Sequence, residues 1–116
     1  MKKIILSFLL LFNNLYADIK PTFIMVYDTS CEACKNTIKT IATNRELRTV
    51  ILTQTEPVQM TREEAEKNSL LVRTVPTFFL LDSSTGKMLT PPLEGAISDP
   101  KDFIRFLKEI YNALNQ

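Results

Sequence analysis

The chain has 116 residues, with 14 lysines and arginines against 13 aspartates and glutamates, two cysteines, no histidine and no tryptophan. That is one small domain, 45% hydrophobic and 23% charged, which argues against wholesale disorder, and a formal charge of +1 gives no basic face for nucleic acid. Two cysteines without histidine cannot supply the four ligands of a structural zinc site, nor a Ser-His-Asp or Cys-His catalytic set.

Met1-Lys2-Lys3 is a short basic start, Ile4 to Phe12 is an apolar run of nine residues, and Asn13 to Ala17 is a polar break ending in a small residue. This is the pattern of a secretory signal peptide, with cleavage expected after Ala17. A transmembrane anchor needs roughly 20 apolar residues, which the Asn pair prevents, and Lys2-Lys3 fits a buried N-terminal strand poorly. Cleavage would leave a domain of residues 18–116 and, with Lys2 and Lys3 gone, turn the formal charge from +1 to −1. The rest of the chain has no apolar run long enough to span a membrane. The expected location is periplasmic or secreted, where cysteines persist as disulfides.

Thr22 to Tyr27 is a continuous apolar and β-branched run, as expected of a strand buried on both faces. Asp28-Thr29-Ser30 favours a turn or a helix cap. From Cys31 the period changes, and Cys34, Ile38, Ile41 and Ala42 predict one apolar helical stripe. Thr49 to Leu52 reads as a second buried strand. Thr61 and Glu64 form a capping box, predicting a helix from about Arg62 to Leu71. Thr77 to Leu81 is a third strand, ended by a hairpin-like turn at Asp82 to Lys87. Lys87 to Thr90 reads as a short edge strand stopped by Pro91-Pro92. Asp99-Pro100 predicts an N-cap with proline at the first helical position, and Phe103, Phe106, Leu107, Ile110 and Leu114 the buried stripe of a closing helix. The predicted order is strand, helix, strand, helix, strand, strand, helix. A right-handed crossover makes the first strand pair parallel and the last two strands form a hairpin, so the sheet is mixed and the fold α/β. The phenylalanines read as core, and Glu63, Glu64 and Glu66 as a solvated helix face.

The chemistry lies in Cys31-Glu32-Ala33-Cys34, a C-x-x-C placed where a buried strand turns into a helix. At the helix tip, free N–H groups and the positive end of the dipole stabilise a thiolate on Cys31. Cys34 lies three residues on, one turn inward. The spacing allows a disulfide with little backbone movement, so one thiolate can attack while the other resolves the mixed disulfide. A purely structural bond is the weaker reading, because closing so short a loop stabilises by only about 2 kcal/mol, against about 3 for fifteen residues. Two thiolates could also hold a soft metal such as copper(I). A second signal is Arg73-Thr74-Val75-Pro76-Thr77-Phe78, a proline directly before a buried strand. The residues alone leave cis and trans Val75-Pro76 bonds both open.

C-x-x-C at a helix start, Val-Pro-Thr before an apolar strand about forty residues later, and Glu94-Gly95-Ala96 before a final helix together resemble the thioredoxin superfamily. The resemblance covers essentially all of the chain after Ala17, without the extra N-terminal strand and helix of thioredoxin itself. It implies the thioredoxin fold, here a four-stranded mixed sheet flanked by helices, with Cys31 as nucleophile and Cys34 as resolving cysteine. It further implies that Pro76 is the family's cis-proline, that the Val75 backbone pairs with a substrate strand, and that Gly95 leaves room for it. Thioredoxin has Trp-Cys-Gly-Pro-Cys, whereas Ser30 precedes the motif here and the redox-tuning pair is Glu32-Ala33. The buried Asp that thioredoxin carries six residues before its first cysteine is matched by Met25.

Asp28-Thr29-Ser30-Cys31 is closer to the Asp-x-Thr-Cys entry of periplasmic disulfide isomerases and related exported reductases. Neither the isomerase dimerisation domain nor the long helical insertion of periplasmic oxidases is expected from these residues. The implied function is an exported thiol–disulfide oxidoreductase that reduces other envelope proteins. A disulfide-introducing oxidant and a copper(I)-binding carrier are the alternatives. Expected partners are substrate proteins with thiols or disulfides and a membrane electron donor. No nucleic acid, metal or cofactor is expected, and the chain should be a monomer.

Overall fold

The computed structural model describes residues 18–116, so the predicted signal peptide, Met1 to Ala17, lies outside the described residues. The elements run β1 (Thr22–Tyr27), α1 (Glu32–Thr43), α2 (Arg45–Gln54), β2 (Glu56–Thr61), α3 (Arg62–Lys67), β3 (Thr77–Leu81), β4 (Leu93–Glu94) and α4 (Pro100–Leu114). The strands form one sheet in the order β2-β1-β3-β4. β1 pairs parallel with β2 and antiparallel with β3, and β3 pairs antiparallel with β4. This is the four-stranded mixed sheet flanked by helices that the thioredoxin fold requires.

Period-two alternation explains why β1 and β3 read as unbroken apolar runs. Phe23 and Met25 of β1 and Phe78 and Leu80 of β3 face one layer, which holds Cys34, Leu47, Val50, Ile51, Ile104 and Leu107. Ile24, Val26 and Phe79 face the other, against Ala65 of α3. Both faces are covered, so neither strand has a solvent face on which to place polar residues. Phe23 stacks on Phe78 at 5.4 Å between ring centroids, and Phe103 of α4 meets both rings edge-on at 5.9 and 5.3 Å. Asp99 caps α4 as predicted, its carboxylate accepting the N–H groups of Lys101 and Asp102 ahead of Pro100.

Three predicted elements are corrected. Thr49 to Leu52 lies inside α2, not in a strand. Asn44 ends α1 and starts α2, its side-chain oxygen accepting Leu47 N–H at 3.0 Å. Leu47, Val50 and Ile51 are buried at helical spacing. The second strand is instead β2, whose sequence EPVQMT is largely exposed and carries Pro57. A strand at the sheet edge tolerates a missing N–H that a central strand would not.

The helix after the capping box stops at Lys67 rather than Leu71. Ser69 takes a left-handed φ of 62°, Leu70 N–H returns to Ala65 O and Ser69 N–H to Glu66 O. Those two bonds make a Schellman ending, with serine where glycine is usual. Finally, Lys87 to Thr90 makes only the single bridge Leu81–Met88, and the edge strand forms after Pro91-Pro92, where Thr77 and Phe78 pair with Glu94 and Leu93. The turn before it is closed by Asp82 N–H to Lys87 O and Gly86 N–H to Asp82 O.

Candidate active site

β1 ends at Tyr27, and the chain turns through Asp28-Thr29-Ser30, with Cys31 N–H donating to Asp28 O at 3.2 Å. Cys31 is the N-cap of α1, and its sulfur accepts the backbone N–H of Cys34 at 3.0 Å. A cap of this kind usually employs a hydroxyl or carboxylate oxygen. With sulfur in that role, a helix-terminal N–H points at the atom that would carry thiolate charge.

Cys31 and Cys34 form a disulfide. Their environments differ: Cys31 is half-buried at the protein surface, whereas Cys34 is 1% exposed and packed among the core phenylalanines and leucines. Glu32 and Ala33 are exposed on the first turn of α1. Among the described residues no three His, Cys, Asp or Glu side chains gather as a metal site.

The segment from Arg73 to Thr77 approaches the disulfide from the other side. The Val75 carbonyl oxygen lies 3.7 Å from the Cys31 sulfur. The Val75–Pro76 peptide is cis, and Pro76 is buried. Thr77 hydroxyl donates to Thr74 O at 2.6 Å and closes this turn. Gly95 N–H donates to Pro76 O at 2.9 Å, which attaches the Gly95 loop to the same segment. Gly95 has a φ of +103°, a conformation that side chains disfavour, and a Cβ built there would meet nothing within 4 Å. The backbone conformation, not crowding, selects glycine, and the space beside it is open. Outside this pair of turns, Arg73 Nε and Nη2 donate to Glu94 Oε1 at 3.1 and 2.8 Å.

Cys31, Cys34, Val75, Pro76 and Gly95 therefore meet at one end of the sheet, from three segments distant in sequence. The apolar stripe of α1 is shifted from its predicted position. Cys34 and Thr37 are its buried members, while Ile38 is 37% exposed and Ala42 faces solvent. Thr37 and the Arg73–Glu94 pair are site neighbours that sequence reasoning left without a role. Counting three residues on from Cys34, as well as four, would have found Thr37.

The strand–C-x-x-C–helix opening and the mixed sheet define a thioredoxin-like protein. The chain belongs to the thioredoxin-like domain family, whose model matches residues 12–111. Its fold is shared with a thioredoxin-fold protein from Helicobacter pylori at 20% identity and TM-score 0.68, over 80% of this chain and 70% of that one. A thioredoxin from Thermus thermophilus follows at 14% identity and TM-score 0.61, over 78% and 73%. The C-terminal domain of DsbD from Neisseria meningitidis, in its reduced form, aligns at 18% identity and TM-score 0.59, over 83% and 84%. No curated protein matches the sequence significantly. Fold and disulfide together support thiol–disulfide redox chemistry.

Proposed function

We propose that this chain is an exported thiol–disulfide oxidoreductase that reduces disulfides of other envelope proteins through Cys31 and Cys34. The observation that carries the reading is the asymmetry of the two sulfurs. Cys31 is half-exposed and receives a helix N-terminal N–H at 3.0 Å, whereas Cys34 is 1% exposed beneath it. Such a pair has one sulfur for attack and one for resolution.

In the reduced protein the Cys31 thiolate attacks a substrate disulfide. A Cys31–substrate disulfide forms, the substrate S–S bond breaks, and one substrate sulfur leaves as thiolate to take up a proton. Cys34, having lost its proton, attacks the Cys31 sulfur. The Cys31–Cys34 bond forms and the second substrate sulfur leaves. Two electrons pass from the dithiol to the substrate, and the oxidised protein needs an external dithiol, such as a membrane electron donor, to restore it. The Val75 backbone, facing the Cys31 sulfur, is suited to hold the substrate segment, and open space at Gly95 accommodates it. Export rests on the basic-apolar-small pattern of Met1 to Ala17.

The test is insulin reduction with dithiothreitol as the electron source. Cys31→Ser should abolish it, and Cys34→Ser should trap Cys31-linked mixed disulfides. Faster alkylation of Cys34 than of Cys31 in the reduced protein would reverse the assigned roles. Mass spectrometry of envelope-fraction protein should find a chain beginning at Asp18, and intact Met1 in the cytosol would refute export. Stoichiometric copper after purification, without insulin reduction, would favour a metal carrier.

A further inference from the structure

We propose that Thr37 is a positioning residue for protein substrates, its buried hydroxyl holding the Gly95–Ile97 loop against the active-site helix. The inference rests on the redox reading above and names a residue that reading does not use.

Thr37 lies one turn beyond Cys34 on the face of α1 that packs into the core, where the helical period calls for an apolar side chain. It is only 1% exposed. A hydroxyl at such a place loses its water and needs a protein partner. Among the described residues the only buried polar side chains are Thr37, Thr55 and Thr77. Thr55 and Thr77 donate to carbonyls four and three residues back, so each serves its own turn. Thr37 differs in reaching across the fold: Ile97 N–H donates to its hydroxyl oxygen at 3.4 Å, across 60 residues of sequence.

That bond closes a chain of contacts that starts at the Cys31 sulfur and returns to its own helix. The Cys31 sulfur faces the Val75 carbonyl, Pro76 O accepts Gly95 N–H, and two residues later Ile97 N–H donates to Thr37 on the helix that carries both cysteines. The loop is thus attached at one end to the cis-proline turn and at the other to α1. It also forms a wall of an open groove of about 290 Å³ that includes Leu93, Phe103 and Phe106. A substrate segment bonded to Cys31 and lying along Val75 has this loop as its far boundary. Without the Thr37 bond the loop keeps its Gly95 attachment and the packing of Ile97 on the core, but loses its hydrogen bond to the helix that carries the sulfurs, and the boundary is less firmly fixed relative to Cys31. A protein substrate would feel this change, and a small disulfide that touches only Cys31 would not.

The experiment compares wild type, Thr37→Val and Thr37→Ser on insulin and on oxidised glutathione, with the Cys31–Cys34 reduction potential measured for each. Loss of one hydrogen bond predicts KM for insulin about three- to tenfold higher in Thr37→Val. kcat on insulin, the glutathione rate and the potential should stay at wild-type values, and Thr37→Ser should restore KM. If Thr37→Val does not fold, Thr37→Ala makes the same comparison without a second methyl at the buried site. Unchanged KM, equal losses on both substrates, or failure of Thr37→Ser to rescue would overturn the assignment. A wild-type protein that reduces neither disulfide would instead overturn the redox reading beneath it.

Discussion

Glu32 is the one charged residue between the cysteines, and its removal should change the redox balance in a calculable direction. It occupies the first position of α1 and is exposed, beside a sulfur that already accepts Cys34 N–H. A carboxylate there opposes the helix dipole by disfavouring a neighbouring thiolate. For unit charges about 6 Å apart the Coulomb energy is about 0.7 kcal/mol in bulk water and roughly 3 kcal/mol at an effective dielectric of 20. Exposure places Glu32 near the lower figure. Stabilising the reduced thiolate makes a pair more oxidising, and about 1.4 kcal/mol corresponds to 30 mV. Glu32→Gln should therefore raise the reduction potential by about 15 mV, with roughly 60 mV as the upper bound. Glu32→His should raise it further when the imidazole is charged. Equilibration of the three proteins against glutathione buffers, with the dithiol fraction counted after alkylation, measures each potential. Three equal potentials would refute the electrostatic argument, and so would a fall on removing the carboxylate. The preference for a reductant would then lose its physical support in the motif.

Two further outcomes concern the frame around the site. Thr61→Ala removes half of the capping box of α3, in which Thr61 hydroxyl accepts Glu64 N–H at 3.2 Å and the Glu64 carboxylate accepts Thr61 N–H at 3.1 Å. It should cost about 1 kcal/mol, read as a lower urea midpoint at unchanged slope. The Asp82 carboxyl is held below its ordinary value by the Ser84 hydroxyl and backbone N–H. A folded-state pKa below the unfolded one stabilises above the unfolded value and is lost as pH falls through the folded one. The Tm gap between wild type and Asp82→Ala should therefore be full at about pH 5 to 7 and close below about pH 4, and a gap independent of pH would refute this.

What could be read from the sequence follows from where each signal is stored. β1 and β3 are buried on both faces, so their composition alone announces them. Asp99-Pro100 and Thr61/Glu64 are local hydrogen-bonding devices, complete within four residues, and both caps form as expected. α2 was hidden because Thr49 to Leu52 contains β-branched residues in a window too short to show a helical period. Its decisive members, Asn44 as shared cap and Leu47 as first buried residue, lie upstream. β2 was hidden for the opposite reason, since an exposed edge strand needs no apolar alternation and can hold Pro57. The Schellman ending of α3 lacked its usual glycine. At the site, Cys31 and Cys34 announce themselves by spacing, whereas the Ile97–Thr37 bond joins residues 60 apart and has no local signature.

The buried sulfur sets the last expectation. Cys34 must lose its proton before it can release a substrate, yet it is 1% exposed in an apolar cluster that includes Met25. Burial of this kind favours the neutral thiol. Among the described residues the buried polar side chains are all threonines, so no buried carboxylate stands ready to take the proton. With no buried carboxylate to assist, resolution should rise with pH as the thiolate fraction grows. Mixing reduced protein with a peptide disulfide, quenching in acid and counting Cys31-linked adducts by mass gives the rate. At about pH 6 the adduct should accumulate, and at about pH 8 it should turn over too fast to build up. Met25→Asp places a carboxylate in the core cluster that holds Cys34 and should flatten this dependence, at a cost in stability from burying the acid. A wild-type resolution rate independent of pH would mean that a proton acceptor does reach Cys34, and the burial argument would fail with it.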